Sequence, residues 1–413
     1  MRDPTTLEIK VLQDWRTVKG PNIATRQKLI TINVGEIWPG QDYRLPVRMV
    51  VPVNRKARGF HLTGGNSPRN LERETRPRGV SLELLKGGVG LVMTVVQEPG
   101  SYGKGDLGGE AEARFAKSLN PRYKIQYWAW PATMMRAITA AHAETGHFES
   151  KGRVAMSGGS KNGATPSMAI IHDERMTAVH ATVSPIWDSP LRLCDRKAWD
   201  QHLDEGGQQR GFSGGHFGPN FNQRVLNAGH TWKDLQGFAR NISDQVFISR
   251  NLKALRARDV EMLFHPGTHD MVAYDMAWGG AHHPSIPVYL GANSGHGKKG
   301  HPEIERDQQN KPAFLLRHFF PDEVTEPLLT PPAMETKIIK DVLKVTVRFP
   351  PNSGEKSGRI WWIDNRAPDG SPRYLKELIP DQNTKEMTRD AERGVWTVEI
   401  QLDSKASRID LFS

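Results

Sequence analysis

Apolar and polar residues alternate over much of the first 60 residues, and this pattern predicts β-structure there. Between residues 45 and 51, apolar side chains occupy every second position, which is the spacing of a strand with one buried face. Similar runs around residues 7–11 and 29–34 predict two earlier strands. The chain therefore opens with a region of sheet.

Beyond residue 89, short apolar runs alternate with apolar residues at helical spacing. The continuous run at residues 89–96 predicts a strand buried on both faces. Apolar side chains at helical steps from Trp130 to Ala141 predict a helix, with Pro131 near its start. Further strands are predicted at residues 154–156, 178–183, 260–264 and 286–290, and further helices around residues 252–255 and 312–320. This alternation predicts an α/β fold, with a mostly parallel sheet covered by helices on both faces.

Two segments depart from that pattern. Residues 186–245 are rich in Gly and Trp and show poor periodicity, so we predict a long irregular insertion of the kind that forms a lid or binding loop. Its aromatic residues either line a substrate cleft or form a small core of their own. Strict alternation returns after residue 331 and predicts a small antiparallel β-sandwich. The predicted domains are residues 1–330, including the insertion, and residues 331–413.

The overall composition excludes several classes of protein. The chain has 413 residues and a net charge of +10, but its basic residues are dispersed among 46 acidic ones and no nucleic-acid-binding motif is present. We therefore expect no nucleic-acid partner, although an anionic substrate fits the charge. The single cysteine excludes an intrachain disulfide, and no apolar stretch reaches the ~20 residues of a membrane span.

The stretch that carries chemistry is residues 153–171, where an apolar strand turns into a helix through Ser-Gly-Gly-Ser-Lys-Asn-Gly. A serine at the apex of a strand–turn–helix, flanked by small residues, is the layout of a nucleophile elbow. Gly158 stands two residues before Ser160, and Gly163 allows the helix to pack close to the strand. Asn162 stands where the usual motif has glycine. We predict that Ser160 is a nucleophile.

Such a serine needs an acid and a histidine in loops after later strands, in the chain order Ser, acid, His. Asp270 follows the predicted strand at residues 260–264, and His296 follows the one at residues 286–290. We predict that His296 is the general base and that Asp270 orients its imidazole.

Alternatives remain for two members of the triad. Asp188 and Asp275 are rival acids, and His301 is a rival base.

Backbone N–H groups complete the predicted site. The N–H of Lys161 and one N–H from the turn Gly64-Gly65-Asn66 are candidate donors to the oxyanion. Trp187 and His269 are candidate substrate contacts.

Four other interpretations compete with a serine esterase. Residues 158–163 have the glycine spacing of a phosphate loop, but Ala164-Thr165 stands where that loop needs Lys-Ser/Thr. Six histidines between residues 265 and 301 suggest a metal site, but no HExxH motif supports one. We therefore expect no metal or other cofactor. A peptidase would use the same triad, and an inactive binding or scaffold protein could retain the fold.

Together, the Gly64-Gly65-Asn66 turn, Trp130-Pro131 before the elbow, and Gly158-Gly159-Ser160-Lys161-Asn162-Gly163 resemble the PhoPQ-activated pathogenicity-related family of α/β-hydrolases. The elbow is also similar to that of glucuronoyl esterases, which carry Gly-Cys-Ser-Arg-Asn-Gly. The resemblance implies an α/β-hydrolase fold with a β-rich C-terminal region, a bacterial and export-prone context, and Ser160 as nucleophile.

In the glucuronoyl esterases, the Arg after the nucleophile helps to hold the oxyanion, and this chain has Lys161 there. By resemblance, Lys161 holds the oxyanion or binds a substrate carboxylate. We therefore expect a serine esterase whose partner is a small-molecule or carbohydrate ester. The first residues lack the apolar region of a signal peptide. The resemblance favours a periplasmic or secreted protein, and a cytoplasmic protein is the alternative that the sequence leaves open. Neither indicates an oligomeric state.

Overall fold

The computed structural model describes residues 1–96, 107–182, 187–204, 221–268, 276–291, 304–324, 332–351, 353–365 and 381–413. Eight strands form one mixed sheet in the order β1-β2-β3-β5-β4-β6-β7-β8. Their bounds are β1 Lys10–Lys19, β2 Ala24–Trp38, β3 Gln41–Pro52, β4 Ala57–Thr63, β5 Gly90–Thr94, β6 Phe148–Gly159, β7 Ala178–Thr182 and β8 Glu261–Phe264. Strands β5, β4, β6, β7 and β8 run parallel to one another.

The remaining three strands form an antiparallel flank. β3 pairs antiparallel with β5, β2 with β3, and β1 with β2. β2 consequently points the same way as the five parallel strands, which makes the sheet mostly parallel. On the other side of the sheet, beside β8, Phe264 forms a parallel bridge with Val288, and Gly267 forms one with Gly291. A further strand was predicted there, at residues 286–290. The predicted strands at residues 29–34, 45–51, 178–183 and 260–264 are confirmed. The prediction of a strand at residues 7–11 is wrong in part, because residues Pro4–Leu7 form a 3-10 helix and β1 begins after it.

Helices cover both faces of this sheet. Their bounds are α1 Pro68–Leu71, α2 Gly79–Lys86, α3 Leu107–Ser118, α4 Ile125–Ala143, α5 Lys161–His172, α6 Arg196–Asp204, α7 Gln223–Asn227, α8 Trp232–Val246, α9 Ile248–Ala257, α10 Met276–His282 and α11 Ile304–Phe319. Val154 and Met156 of β6 join a core with α4, α5, α8 and α9. Ala155, between them, joins a second core with α2 and α11. Successive residues of β6 thus face opposite layers, as a strand buried on both sides requires.

Two helices begin earlier than the sequence predicts. α4 starts at Ile125, so Pro131 lies inside it and does not mark its start. α11 likewise begins at Ile304 and contains Pro312. Because nearly all of α4 is buried, we attribute its course through a proline to packing that outweighs the lost hydrogen bond.

The insertion is more regular than predicted. The described part of residues 186–245 contains α6, α7 and most of α8, so the prediction of an irregular segment is wrong for those residues. Thr231 and Asp234 form a reciprocal capping box at the start of α8. Trp199, Phe221 and Leu191 form a small cluster with Trp232 packed against it. The insertion therefore has a core of its own, which was one of the two predicted roles of its aromatic residues.

The C-terminal region is built from antiparallel strands, as predicted. Its strands are β9 Ala333–Ile339, β10 Val342–Arg348, β11 Arg359–Asp364, β12 Thr384–Glu386, β13 Thr388–Asp390, β14 Val395–Gln401 and β15 Ile409–Phe412. They form a four-stranded sheet, β13-β14-β10-β9, and a three-stranded sheet, β12-β11-β15. A separate core contains Leu343, Val345 and Trp396 from the first sheet and Ile360 from the second.

Within the described ranges, no helix combines the length and apolar character needed to cross a membrane.

Candidate active site

Ser160 lies in the turn between β6 and α5, at the edge of the sheet where the parallel strands end. Its backbone has φ 54° and ψ −133°, a positive φ that side chains other than glycine rarely adopt. The N–H groups of Gly163 and Ala164 donate to the Ser160 carbonyl at 2.9 and 3.0 Å, which begins α5 immediately after it. The Ser160 side chain makes no capping hydrogen bond to α5. The turn therefore holds a strained serine whose hydroxyl is not used to cap the helix.

The residues flanking Ser160 must be small because the turn is tight. A Cβ on Gly158 would lie 2.0 Å from the Asn162 carbonyl oxygen, a backbone atom that no side-chain rotation can move. A Cβ on Gly159 would lie 2.7 Å from Thr182 Oγ1. Both distances are shorter than any van der Waals contact, so the two glycines are a steric requirement of the elbow.

The Gly64-Gly65-Asn66 turn lies directly against this elbow. A Cβ on Gly65 would lie 3.0 Å from Asn162 Nδ2 and 3.2 Å from Asn162 Cγ. A Cβ on Gly64 would lie 2.9 Å from Val96 Cγ1, so the turn is packed on both sides. The structure thus brings together two segments that are 96 residues apart (160 minus 64) and that the sequence predicted to share a site.

The amide of Asn66 fixes the turn between two strand ends. Asn66 Nδ2 donates to the Thr63 carbonyl at 3.2 Å and to the Thr94 carbonyl at 3.0 Å. Its side chain is therefore committed to the backbone, and the backbone N–H groups of the turn are the candidate donors to an oxyanion. The N–H of Lys161 has no acceptor within α5, because the first N–H groups of a helix have no intrahelical partner.

Asn162 fills the space that a glycine would leave open in the usual elbow motif. Among the residues that the structure describes, its buried Oδ1 atom has no hydrogen-bond partner. The contact with Gly65 is the packing role that we assign to Asn162.

A row of buried polar side chains lies beneath the site on the α11 side of the sheet. His61 Nε2 and Ser157 Oγ are 2.7 Å apart, and both residues are buried. The ring of His180 lies 6.3 Å from that of His265. Burial lowers the pKa of His61 well below its usual range, with Lys311 and His180 adding to the effect, so its imidazole is neutral. No local pattern in the sequence predicts this row, because its members come from four different strands or strand ends.

Asp188, a rival acid in the sequence analysis, lies in an ion-pair network with the start of α9. It accepts hydrogen bonds from Ser249 Oγ at 2.8 Å and His283 Nε2 at 3.0 Å, and pairs with Arg250 Nε at 2.7 Å. Burial alone would raise the pKa of Asp188, but the Ser249 bond and the Arg250 charge outweigh it and lower the pKa. The partners of Asp188 place it as a link between α9 and the end of α10.

Trp187, a predicted substrate contact, has a packing role in the described structure. It is only 1% exposed and belongs to the main core. Gly279 of α10 makes room for it, since a Cβ there would lie 2.2 Å from the indole ring. A substrate contact of Trp187 stays a prediction, since an isolated tryptophan in the sequence carries no signal for which surface it covers.

Five predicted site residues lie outside the described residues. They are Asp270, His296 and His269, together with the rivals Asp275 and His301. Among the described residues, no group of three or more His, Cys, Asp or Glu side chains has the arrangement of a metal site.

Comparisons with known proteins find matches only among solved structures. No protein-family model and no curated protein sequence matches the chain. The glucuronoyl esterase from Solibacter usitatus is 14% identical, with a TM-score of 0.44 over 77% of this chain and 87% of its own. The acetyl xylan esterase from Thermoanaerobacterium sp. is 12% identical, with a TM-score of 0.42 over 75% of this chain and 88% of its own.

A third structure has a different activity in its name. The puromycin-hydrolyzing peptidase of Mycobacterium tuberculosis is 15% identical, with a TM-score of 0.39 over 75% of this chain and 40% of its own. The structural neighbours thus include both esterases and a peptidase. At these TM-scores and identities, the similarities support no argument about the activity of this chain.

Proposed function

We propose that the chain is an α/β-hydrolase that cleaves a carboxylic ester through an acyl-enzyme intermediate, with Ser160 as nucleophile. The observation that carries the proposal is the Ser160 backbone, with φ 54° and ψ −133° at the carboxyl end of β6. Such a conformation costs an L-residue roughly 1–3 kcal/mol and persists where the surrounding structure imposes it. A sharp strand-to-helix turn that presents a serine at the sheet edge is the nucleophile elbow of this class of enzyme.

In the proposed reaction, Ser160 Oγ attacks the ester carbonyl carbon while its proton passes to His296. The carbonyl electron pair moves onto oxygen, and the N–H of Lys161 and an N–H of the Gly64–Asn66 turn donate to that oxyanion. The carbon–oxygen bond to the alcohol then breaks, and His296 returns the proton to the leaving oxygen. Water repeats the sequence on the acyl-enzyme, and Asp270 orients the imidazole throughout.

Carbohydrate esters are the substrate class that we propose. Lys161 follows the nucleophile directly and is half-buried. The chain also carries a net charge of +10. A basic group beside the serine suits a substrate with hydroxyl or carboxylate groups near the ester, such as an acetylated sugar or a uronate ester.

Turnover by the purified full chain tests the proposal. We expect hydrolysis of p-nitrophenyl acetate, of acetylated xylooligosaccharides or of a methyl glucuronate ester, and loss of at least about 10⁴-fold in Ser160→Ala. Ser118→Ala is the matched control, because Ser118 is exposed at the end of α3, where its hydroxyl donates to the Arg114 carbonyl and accepts from the Asn120 N–H. Faster cleavage of peptide anilides would assign a peptidase. Ester turnover that survives in Ser160→Ala would refute the proposal.

A further inference from the structure

β9 is an edge strand with an unusual degree of exposure. It lies at the end of the four-stranded sheet, and all seven of its residues, Ala-Met-Glu-Thr-Lys-Ile-Ile, are exposed. Met334, Ile338 and Ile339 are 42%, 60% and 41% exposed. Its register pairs it with β10 alone among the strands that the structure describes. An exposed apolar edge strand is a template for pairing with another chain.

The exposed side chains continue the apolar face of the neighbouring strand. Ile338 stands opposite Leu343 and Met334 opposite Val347 in the β9–β10 register. Leu343 and Val347 are each only 2% exposed, whereas their partners on β9 are open to solvent. The apolar face of the sheet therefore continues from β10 onto β9, where it is exposed to solvent. Another strand added at this edge would bury Met334 and Ile338.

The sequence of β9 is complementary to itself in the antiparallel direction. With Thr336 at a two-fold axis, Glu335 stands opposite Lys337 of the second strand, and Met334 stands opposite its Ile338. Ala333 then faces Ile339. In this register, Met334 and Ala333 each face an apolar residue of the second strand, and the Glu335–Lys337 pair occurs twice.

Among the residues that the structure describes, the charges on β9 also lack ion-pair partners. Neither Glu335 nor Lys337 makes an ion pair in the described structure. Lys337 stands opposite another cation, Lys344, on β10, and Lys344 pairs with Glu399 at 2.5 Å. A carboxylate on the open side of Lys337 would offset this like-charge neighbour, because directly opposed like charges destabilise a sheet.

From these observations we infer that β9 pairs antiparallel with β9 of a second copy of the chain, with Thr336 at the two-fold axis. The two four-stranded sheets become one continuous sheet across the axis. Seven residues from each copy form a small interface, below the ~1,200 Å² of stable complexes, so the dimer dissociates on dilution. The inference does not depend on the proposed catalytic activity.

A charge exchange tests the pairing in the full chain. Sedimentation velocity over a concentration series should show a monomer–dimer equilibrium in the wild-type protein. Glu335→Lys and Lys337→Glu each convert both attractive pairs into like-charge pairs, and we expect the dissociation constant to rise about tenfold or more in each. An equimolar mixture of the two variants restores both attractive pairs, and so does the double variant, so both should dimerise again.

Glu392→Lys is the matched control. Glu392 is exposed in the turn after β13, at the other end of the same sheet, and this substitution changes the net charge as Glu335→Lys does. It should leave the dissociation constant unchanged. A wild-type protein that stays monomeric at all concentrations would overturn the inference. So would a dimer that Glu335→Lys does not weaken, or single variants whose mixture fails to associate.

Discussion

Replacing Gly65 by Ala tests whether the Gly64–Asn66 turn and the elbow form one catalytic unit. The added Cβ would lie 3.0 Å from Asn162 Nδ2 and 3.2 Å from Asn162 Cγ, against an ordinary contact distance of about 3.5–4.0 Å. Either the turn or the Asn162 side chain must therefore move by roughly 0.5 Å.

Such a movement has a predictable effect on the rate. Oxyanion donors act within a window of about 2.7–3.1 Å, and the loss of one donor costs about 10²–10³ in kcat. A shift of half an ångström weakens that donor without removing it, so we expect kcat to fall about 10–100-fold.

A second substitution separates this mechanism from a general loss of structure. Asn162→Ala removes Nδ2 and Cγ and leaves only the Asn162 Cβ, 3.5 Å from the added methyl group, which is an ordinary contact. The double variant Gly65→Ala/Asn162→Ala should recover most of the lost kcat in an ester hydrolysis assay. Unchanged kcat in Gly65→Ala would refute the reasoning. A double variant no faster than the single one, with both proteins folded by circular dichroism, would refute it too.

Three further predictions concern individual residues. In urea unfolding and steady-state kinetics, Asp188→Asn should lower the unfolding free energy by about 2 kcal/mol and change kcat less than about threefold. Asp270→Asn should lower kcat about 10³–10⁴-fold. The reverse result would make Asp188 the acid. The side chain of Asp173 is fully buried, and Arg175 donates to its carboxylate. Burial alone would raise the pKa of Asp173, but the hydrogen bonds and charge of Arg175 outweigh burial and lower this pKa. The stabilisation by the Asp173 carboxylate is therefore present above the unfolded pKa of about 3.9 and is lost as pH falls through the folded pKa. We expect Asp173→Asn to lose roughly 3 kcal/mol of unfolding free energy at neutral pH, and this loss should shrink below about pH 4 in urea unfolding. A loss that stays constant with pH would contradict this. Gly158→Ala should lower the unfolding free energy by at least about 3 kcal/mol, because the added Cβ would lie 2.0 Å from the Asn162 carbonyl oxygen. A variant as stable as the wild type would show that the turn is not rigid.

Local patterns in the sequence predicted much of the fold. The parallel strands and the elbow depend on short-range signals, such as the apolar run at residues 154–156 and the glycines on either side of Ser160. Strand alternation likewise predicted the C-terminal strands. These features are set by sterics and periodicity over a few residues, so a single sequence is enough to find them.

The sequence also contains signals for one further helix. Thr231 and Asp234 have the spacing of a capping box, and the buried residues of α8 from Leu235 to Val246 follow helical spacing. The surrounding glycines hid this regular helix. The prediction of an irregular insertion was therefore avoidable.

Other features depend on contacts that no local pattern encodes. Asp188 and His283 are 95 residues apart, and their hydrogen bond depends on how segments distant in the chain fold together. The burial of Trp187 likewise depends on the space left by Gly279. The contact between Gly65 and Asn162 has the same long-range origin, which is why the sequence predicted their shared site but not the contact itself.

Covalent labelling tests most directly whether Ser160 is an activated nucleophile. The folded protein is treated with a fluorophosphonate, digested, and analysed by mass spectrometry to locate the adduct. We predict one adduct, on the peptide that contains Ser160, which is absent in Ser160→Ala and forms far more slowly in His296→Ala. A folded protein that leaves Ser160 unmodified, or that is labelled equally in the Ser160→Ala variant, would contradict the assignment.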